Sequence, residues 1–388
     1  MKQRTEFDDI RPLYDEEISE AIEELLNDSE FKRVVYYLLP DTDWDAFTKT
    51  MRSFKTKHEF QTSIVRQTIK HIAGKTMASV DLGGIENIKK ERAYTYISNH
   101  RDIIMDASLL CVLLVDAGLD TTEIAIGDNL LIHPWIDKLV RINKSFIVRR
   151  GVSIRQMLEV STKLSQYIHY TINDKNQSVW IAQREGRAKD SCDVTQESLL
   201  KMLSLAGSNF AEGIQHVNIV PLSISYEYDP CDYLKAKEFQ LKRDNPEYKK
   251  SPLDDLMNME TGLMGAKGNV HFQIARPINP MIQSQRVADM ERQEQPAAVA
   301  ALINKEIHLN YKFFPINYMA YDKLSAQKRF EDKYTTQDVE AFNDYIQQRL
   351  DLIQLDNKDI PYLTEKLLDM YANPLKNYLI AKENEDVA

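Results

Sequence analysis

Between residues 92 and 278, six short segments rich in β-branched and aromatic residues alternate with longer segments of helical periodicity. Alternating strands and helices predict a sheet whose faces are covered by the connecting helices. The predicted strands are residues 93–98, 122–127, 144–148, 177–182, 217–226 and 269–275. Ligands gather at the strand ends of such open sheets, so motifs directly after a strand are candidates for function.

Helical patterns flank the predicted sheet on both sides. The upstream pattern ends before the pair Gly83-Gly84, and a downstream helix is predicted to begin at an N-cap formed by Thr335 or Thr336. The last helical segment is amphipathic, which is typical of a packing helix and less often of a membrane or partner contact. We predict an α/β fold, a mixed sheet flanked by helices, with a helical domain at 1–85, an α/β domain at 86–285 and a helical region at 286–388 that packs on it.

Charge and composition exclude several classes of protein. The 388 residues include 49 basic and 59 acidic side chains, and this net charge of −10 argues against a general nucleic-acid binder. Three isolated cysteines and an N-terminus without an apolar core predict a cytoplasmic protein. The longest apolar run, residues 107–115, is far short of the ~20 residues that span a bilayer, so any membrane contact is expected to be peripheral.

The segment YISNHRDIIMDASLL, residues 96–110, contains the tripeptide HRD at residues 100–102, and the same tripeptide begins the catalytic loop of protein kinases. A kinase needs Asn five residues after the Asp of HRD, but Ala107 stands there after Asp102. The sequence also lacks GxGxxG, DFG, GxxxxGK[ST], GxSxG and HExxH motifs. Kinase, P-loop, serine-nucleophile and zinc-helix chemistry therefore have no support.

His100 follows the first predicted strand, and two carboxylates follow His100. A histidine at a strand end can act as a general base when a carboxylate fixes its tautomer, and Asp106 and Asp102 are both candidates for that partner. Asn99 and Arg101, which flank the histidine, are candidate substrate contacts. The alternatives are that His100 is a structural histidine or that it is one metal ligand of a metal-dependent hydrolase.

Two further segments carry positive charge at predicted strand ends. Residues 141–155 contain five cations and no acidic residue, namely Arg141, Lys144, Arg149, Arg150 and Arg155, which indicates a local anion site. The second segment, after residues 177–182, presents Glu185, Gly186, Arg187 and Lys189. Pro221 lies inside the strand at 217–226, which predicts an edge or a bulge that can line a site.

These four blocks, in this order, resemble the glycerol-3-phosphate and lysophosphatidate acyltransferase superfamily. The matching residues are Asn99-His100 with Asp106, SFIVRR at 145–150, EGRAK at 185–189 and NIVPLSISY at 218–226. The helical N-terminal region also resembles the soluble branch of that superfamily. In the family pattern the Asp lies five positions after the His, where this chain has Met105. An extra residue in the turn would bring Asp106 to the relay position, with Asp102 as its rival.

The resemblance implies an O-acyltransferase of membrane lipid synthesis. His100 would deprotonate the hydroxyl of a phosphorylated glycerol or lysolipid, which attacks an acyl thioester of coenzyme A or acyl carrier protein. Arg149, Arg150, Arg187 and Lys189 would hold the phosphate, and no metal or other cofactor is needed. Another lipid acceptor, such as a lyso-aminolipid, stays open, as does a catalytically silent lipid- or carrier-binding protein. A carboxylate in hydrogen-bond contact with His100 would favour the enzyme.

Overall fold

The computed structural model describes residues 5–326 and 328–386, and it contains one seven-stranded mixed sheet. The strands are β1 (Met77–Gly83), β2 (Thr95–Ser98), β3 (Glu123–Gly127), β4 (Ser145–Val148), β5 (Val179–Ala182), β6 (Ile219–Tyr226) and β7 (Gly268–Ile274). Their order across the sheet is β1-β7-β6-β2-β5-β3-β4, and only the β6–β7 pair is antiparallel. The predicted α/β class is confirmed, and all six predicted strands are present within two residues of their predicted ends.

One strand was not predicted. β1 follows helix α5 without a loop and pairs in parallel with β7 at the edge of the sheet. The boundary predicted at residue 86 therefore differs from the structure, because β1 belongs to the sheet and lies before it. The sequence did not predict β1 for two reasons. Its half-exposed side chains show no clear alternation of apolar and polar residues, and no turn residue separates Thr76 of α5 from Met77 of β1.

Within the described residues, five α-helices precede the sheet; the first four form a separate apolar core together with Ile142, and the fifth packs on the sheet. They are α1 (Ile18–Asn27), α2 (Ser29–Leu38), α3 (Trp44–Ser53), α4 (Lys57–Phe60) and α5 (Arg66–Thr76), with a π-helical turn at Gln61–Val65 joining the last two. Asp28 and Asp43 cap α2 and α3 by accepting hydrogen bonds from backbone N–H groups of the first turn. Phe31, Phe47 and Met51 are buried between these helices.

Helices cover both faces of the sheet. The connecting helices are α6 (Met105–Asp116), α7 (Pro134–Ile142), α8 (Ile154–Asn173), α9 (Glu197–Ser204), α10 (Phe210–His216), α11 (Asp232–Asp244) and α12 (Pro252–Met264). Adjacent residues of one strand enter different cores: Tyr96 packs with α5 and α6, whereas Ile97 packs with α8 and α9. This three-layer arrangement leaves the carboxyl ends of the parallel strands open.

The C-terminal helices pack partly on the sheet and partly on one another. They are α13 (Asn279–Ser284), α14 (Gln295–Leu309), α15 (Pro315–Ser325), α16 (Thr336–Leu352) and α17 (Ile360–Asp386). Thr335 is the N-cap of α16, one of the two predicted candidates. Leu363, Leu367 and Tyr371 of α17 are buried against α15 and α16, so the last helix is a packing helix. Within the described residues, no helix has both the length and the apolar character needed to cross a bilayer.

Candidate functional site

Three parallel strands bring the polar motifs to one edge of the sheet. β2 is followed by Asn99-His100, β4 by Arg149-Arg150, and β5 by the loop at residues 183–189. A cavity of about 1240 Å³ adjoins this edge. The polar side chains that line it include His100, Arg149, Arg150, Arg184, Glu185, Arg187 and Lys189.

His100 is held by a fully buried carboxylate. Its Nδ1 lies 2.7 Å from Oδ2 of Asp106, which also accepts hydrogen bonds from the backbone N–H groups of Arg101 at 2.6 Å and Asp102 at 3.0 Å. Trp180 packs edge-on against the imidazole, with 5.5 Å between the ring centres. Because a carboxylate oxygen accepts, Nδ1 donates, and Nε2 keeps the lone pair that a general base requires.

Asp102 has a different role. Its Oδ1 accepts hydrogen bonds from the backbone N–H groups of Ile104 at 2.9 Å and Met105 at 2.7 Å, so it caps α6. Burial, reinforced by the nearby Asp106 carboxylate, raises the pKa of Asp102. A Cβ at Gly262 would lie 1.9 Å from Asp102 Oδ2, so only glycine leaves room for this cap. Of the two aspartates considered from the sequence, Asp106 is the one in contact with His100.

The second oxygen of Asp106 faces a buried polar environment. Asp106 Oδ1 and the Tyr226 hydroxyl are both buried and lie beside each other, and neither has another hydrogen-bond partner in the described parts of the chain. Burial and the Asp106 and Asp102 carboxylates raise the pKa of Tyr226 well above its usual value, which keeps its phenol protonated. Tyr226 is the last residue of the NIVPLSISY block, and the sequence analysis predicted no function for it.

The residues that flank His100 in the chain form hydrogen bonds with other parts of the protein. Asn99 joins β2 to β6 by accepting from Ile224 N and donating to Ile224 O, both at 2.8 Å. Arg101 forms a buried two-bond ion pair with Asp193 at 3.0 and 2.5 Å, and Tyr311 donates to the same carboxylate. Neither side chain lines the cavity, so both differ from the substrate contacts that were predicted.

Two other predicted contacts also lie elsewhere. Lys144 precedes β4 instead of following it, and its buried amine donates to Thr121 Oγ1 at 2.7 Å. Pro221 is in central β6 and not at an edge; it is tolerated because pairing with β7 begins at Leu222, so its missing N–H falls at the end of that ladder. Neither residue lines the cavity.

The predicted cations differ in how far protein carboxylates already neutralise them. Arg149 donates to Asp9 at 2.8 Å, and the Lys189 amine lies 2.7 Å from Glu238. In contrast, Nε of Arg150 and Nη1 of Arg187 are buried with no hydrogen-bond partner among the described residues; the exposed Glu185 carboxylate lies 3.7 Å from Arg150 Nε, beyond hydrogen-bond distance. These two arginines therefore keep donors available for an anion from outside the chain.

Arg184 adds a third such donor, which the sequence analysis missed. Its Nε is also buried without a partner in the described chain, and the residue lines the cavity directly before Glu185. Its position between the end of β5 and the EGRAK block is the sequence feature that could have identified Arg184 as a site residue. Gly186 allows the loop to turn here, because its φ of +69° is strained for other residues.

The charge of Arg187 is maintained in a buried setting. Burial disfavours the charged form, but the Cys231 thiol and the carboxylates of Asp229 and Asp102 together raise the pKa of Arg187 above its usual value. Its Nη2 donates to Asn258 Oδ1 at 2.8 Å, which orients the guanidinium plane. Arg187 is therefore a fixed cation in the cavity wall.

Away from the cations, the cavity wall is mostly apolar. Close to His100 in the chain, Ile103, Ile104 and Ala107 line it, and the helical N-terminal region contributes a larger apolar group. That group comprises Phe31, Val35, Phe47, Met51, Phe60, Ile64, Ile69 and Ile72. The cavity thus combines a cationic region, a histidine and enough apolar wall to bury a hydrocarbon chain.

Lys189 belongs to a cluster centred on Glu238 of α11. The Glu238 side chain is 5% exposed and lies 2.7, 2.9 and 3.0 Å from the amines of Lys189, Lys242 and Lys250. Burial opposes its negative charge, but the three lysines outweigh burial and lower the pKa of Glu238 to about 2. Burial lowers the pKa of Lys189, and its contact with Glu238 only partly offsets that effect.

Glu238→Gln is expected to lower the free energy of unfolding by about 2 kcal/mol at pH 7, after allowance for the partly exposed lysines. A lowered carboxylate pKa stabilises the fold above the unfolded value of 4.5, and this stabilisation is lost as pH falls toward 2. Urea unfolding at pH 7 and at about pH 2 measures the change, and the difference between the two proteins should narrow as pH falls and nearly vanish at about pH 2. Glu197→Gln, which removes an exposed pair with Lys201, should cost less than about 0.5 kcal/mol. An equal loss in both variants would contradict the prediction.

Comparison with known proteins found a family-model match and similarity to a solved structure. Residues 79–225 match the family model described as Acyltransferase, a span that contains β2 to β5, all of β6 except Tyr226, and the arginines and the lysine named as lining the cavity. The crystal structure of the 1-acyl-sn-glycerophosphate (LPA) acyltransferase PlsC from Thermotoga maritima is similar at 15% sequence identity and a TM-score of 0.38, over 75% of this chain and 95% of that chain. A search of curated protein sequences found no match.

Proposed function

We propose that this chain, whose residues 79–225 match the family model described as Acyltransferase, is an acyltransferase that moves a fatty acyl group from a thioester to a hydroxyl of a phosphorylated glycerol or lysolipid. The observation that carries the proposal is the 2.7 Å contact between His100 and Asp106 in a cavity that has an apolar wall and arginine N–H groups without a hydrogen-bond partner in residues 5–326 and 328–386. A base, an anion site and a place for a hydrocarbon chain are what such a reaction requires.

The transfer follows from the imidazole geometry. Nε2 of His100 accepts the proton of the acceptor hydroxyl while its oxygen attacks the thioester carbonyl carbon. The tetrahedral intermediate collapses with cleavage of the carbon–sulfur bond, and the imidazolium returns the proton to the departing thiolate. Asp106 stabilises the imidazolium between these steps. A thiol with a pKa of about 8.5 leaves readily, so the reaction needs neither a covalent enzyme intermediate nor a metal.

The phosphate is proposed to bind the free donors of Arg150, Arg184 and Arg187. Arg149 and Lys189 contribute less, because Asp9 and Glu238 already neutralise them. This refines the set of cations inferred from the sequence. The acyl chain would lie against the apolar wall, whose nearest members in the chain are Ile103 and Ile104.

Acyl transfer to acceptors with and without a phosphate tests the proposal. Purified protein should acylate glycerol-3-phosphate or 1-acylglycerol-3-phosphate and discriminate against glycerol or monoacylglycerol, with either the coenzyme A or the acyl carrier protein thioester as donor. Release of free thiol and formation of the ester are measured together, since hydrolysis alone would release thiol without ester. A protein that prefers the phosphate-free acceptors would refute the proposed substrate class.

Arg150→Gln and Arg187→Gln are each expected to raise KM for the phosphorylated acceptor by about 10- to 100-fold, the loss of one charge-assisted hydrogen bond. The effect should disappear with monoacylglycerol, which has no phosphate to lose. Arg149→Gln serves as the matched control, and its KM should rise by no more than about threefold because Asp9 already engages that side chain. Equal KM changes for all three variants would contradict the assignment.

A further inference from the structure

Tyr226 is the last residue of β6 and lies beside the carboxylate that contacts His100. Its ring belongs to the same apolar core as Met105, the first residue of α6 and the neighbour of Asp106 in the chain. The hydroxyl of Tyr226 is buried as well. A buried phenol needs a hydrogen-bond acceptor, because an O–H group that is unpaired and out of contact with water costs stability.

A pair of hydrogen bonds fixes the end of β6 relative to the histidine. Asn99, which directly precedes His100, accepts from Ile224 N and donates to Ile224 O, both at 2.8 Å. Side chains two residues apart in a strand lie on the same face, so Tyr226 shares the face of Ile224 that packs toward α5 and α6. The phenol is therefore held in a fixed place relative to the His100–Asp106 pair.

Asp106 offers the acceptor that this phenol needs. Oδ2 of Asp106 already accepts from His100 and from two backbone N–H groups, whereas Oδ1 is buried beside the Tyr226 hydroxyl and has no other partner in the described chain. Two more carboxylates lie near the phenol, but Asp102 accepts from N–H groups at the start of α6, and Asp229 is paired with a lysine of α11. Oδ1 of Asp106 is therefore the open acceptor.

We propose that Tyr226 is a positioning residue, which donates a hydrogen bond to Asp106 Oδ1 and so keeps Oδ2 directed at His100. This inference rests on the proposed function, because it gives Tyr226 a part in the same acyl transfer. The last torsion of an aspartate side chain has a broad minimum, so donors on both oxygens fix the plane of the carboxylate better than donors on one. The phenol also offsets part of the cost of burying a negative charge. Tyr226 is not part of the cavity wall, so it acts through Asp106 and not on the substrate.

Tyr226→Phe tests this assignment, because phenylalanine keeps the ring in the apolar core and removes only the hydroxyl. We expect kcat to fall by about tenfold, the loss of one hydrogen bond to a charged group, with KM for the phosphorylated acceptor unchanged. Tyr96→Phe is the matched control, since Tyr96 is buried in the same core, and its kcat should stay within about twofold of the wild type. Thermal unfolding gives the folded fraction to which each kcat is normalised. A wild-type kcat in Tyr226→Phe would overturn the proposal.

The same substitution in the Asp106→Asn variant separates hydrogen bonding from packing. Asparagine presents an NH₂ group in place of Oδ1, and this group cannot accept from the phenol, so removal of the hydroxyl should then change kcat by less than about twofold. A tenfold loss in both backgrounds would mean that Tyr226 supports the site by packing alone, and it would also overturn the proposal.

Failure of the proposed function gives a different result. Wild-type protein that forms no ester with glycerol-3-phosphate or 1-acylglycerol-3-phosphate would refute acyl transfer and, with it, this inference. Wild-type protein that forms ester, with a kcat that Tyr226→Phe leaves unchanged, would overturn only the part assigned to Tyr226.

Discussion

His100→Ala is expected to reduce kcat for acyl transfer by about 10²- to 10⁴-fold, the contribution typical of a general base. Without the imidazole, the acceptor hydroxyl has no group to take its proton at the moment of attack. KM for the acceptor should change little, because the proposed phosphate donors on Arg150, Arg184 and Arg187 form no hydrogen bond with His100 within the described residues. Steady-state kinetics with saturating thioester measure both parameters.

A second histidine provides a matched control for this substitution. His271 Nδ1 lies 2.7 Å from Asp81 Oδ1, the same separation as in the His100–Asp106 pair, but His271 is on β7 and does not line the cavity. His271→Ala should therefore keep kcat within about threefold of the wild type. Thermal unfolding of both variants checks that the fold is retained. A His100→Ala enzyme with kcat close to that of the wild type would refute the base mechanism.

The sequence predicted the sheet well because its strands carry a local signal. β2, β4 and β5 are short, apolar and buried on both faces, and each is followed by polar residues that mark its end. β1 lacked this signal, because its position depends on pairing with β7, almost 200 residues away in the chain. Local patterns cannot report such a pairing.

The candidate site was predictable only in part, for a geometric reason. Residues 141–155 were treated as one cationic cluster, but Lys144 and Arg149 lie at opposite ends of β4, roughly 16 Å apart at 3.3 Å per residue. A run of like charges across a strand therefore cannot converge on one ligand. The neutralising partners Asp9 and Glu238 come from distant parts of the chain, so the sequence could not tell which cations stay free.

The partner of His100 depended on the geometry of one turn. Asp106 lies one position beyond the family spacing, and the turn at residues 101–104 absorbs this extra residue before α6 begins at Met105. Asp102 lies two residues before the N-cap Ile104, and its carboxylate accepts hydrogen bonds from the backbone N–H groups of Ile104 and Met105 at the helix start. Sequence spacing could not decide which aspartate contacts His100. A carboxylate that binds the backbone N–H groups of a helix and a carboxylate that orients the histidine are both expected close to the start of α6.

Asp106→Asn is expected to lower kcat by about 100-fold, equivalent to about 2.7 kcal/mol of lost transition-state stabilisation. One oxygen of Asp106 accepts from His100 and from the N–H groups of Arg101 and Asp102, so an asparagine oxygen in that place can keep all three hydrogen bonds. The substitution therefore removes mainly the negative charge that stabilises the imidazolium. Its amide nitrogen would occupy the position of Oδ1, beside the Tyr226 hydroxyl.

Asp102→Asn separates this electrostatic effect from a general disturbance of the site. Asparagine caps helices as well as aspartate does, so α6 should keep its start and kcat should stay within about threefold of the wild type. Because burial raises the pKa of Asp102, the folded state favours its protonated form, and the protein loses stability as rising pH ionises it. Asparagine does not ionise, so the free energy of unfolding of Asp102→Asn should depend less on rising pH. Equal losses of kcat in the two variants would refute a relay through Asp106. A large loss in Asp106→Asn alone means that the charge on Asp106, and not only the shape of the turn, makes His100 a base.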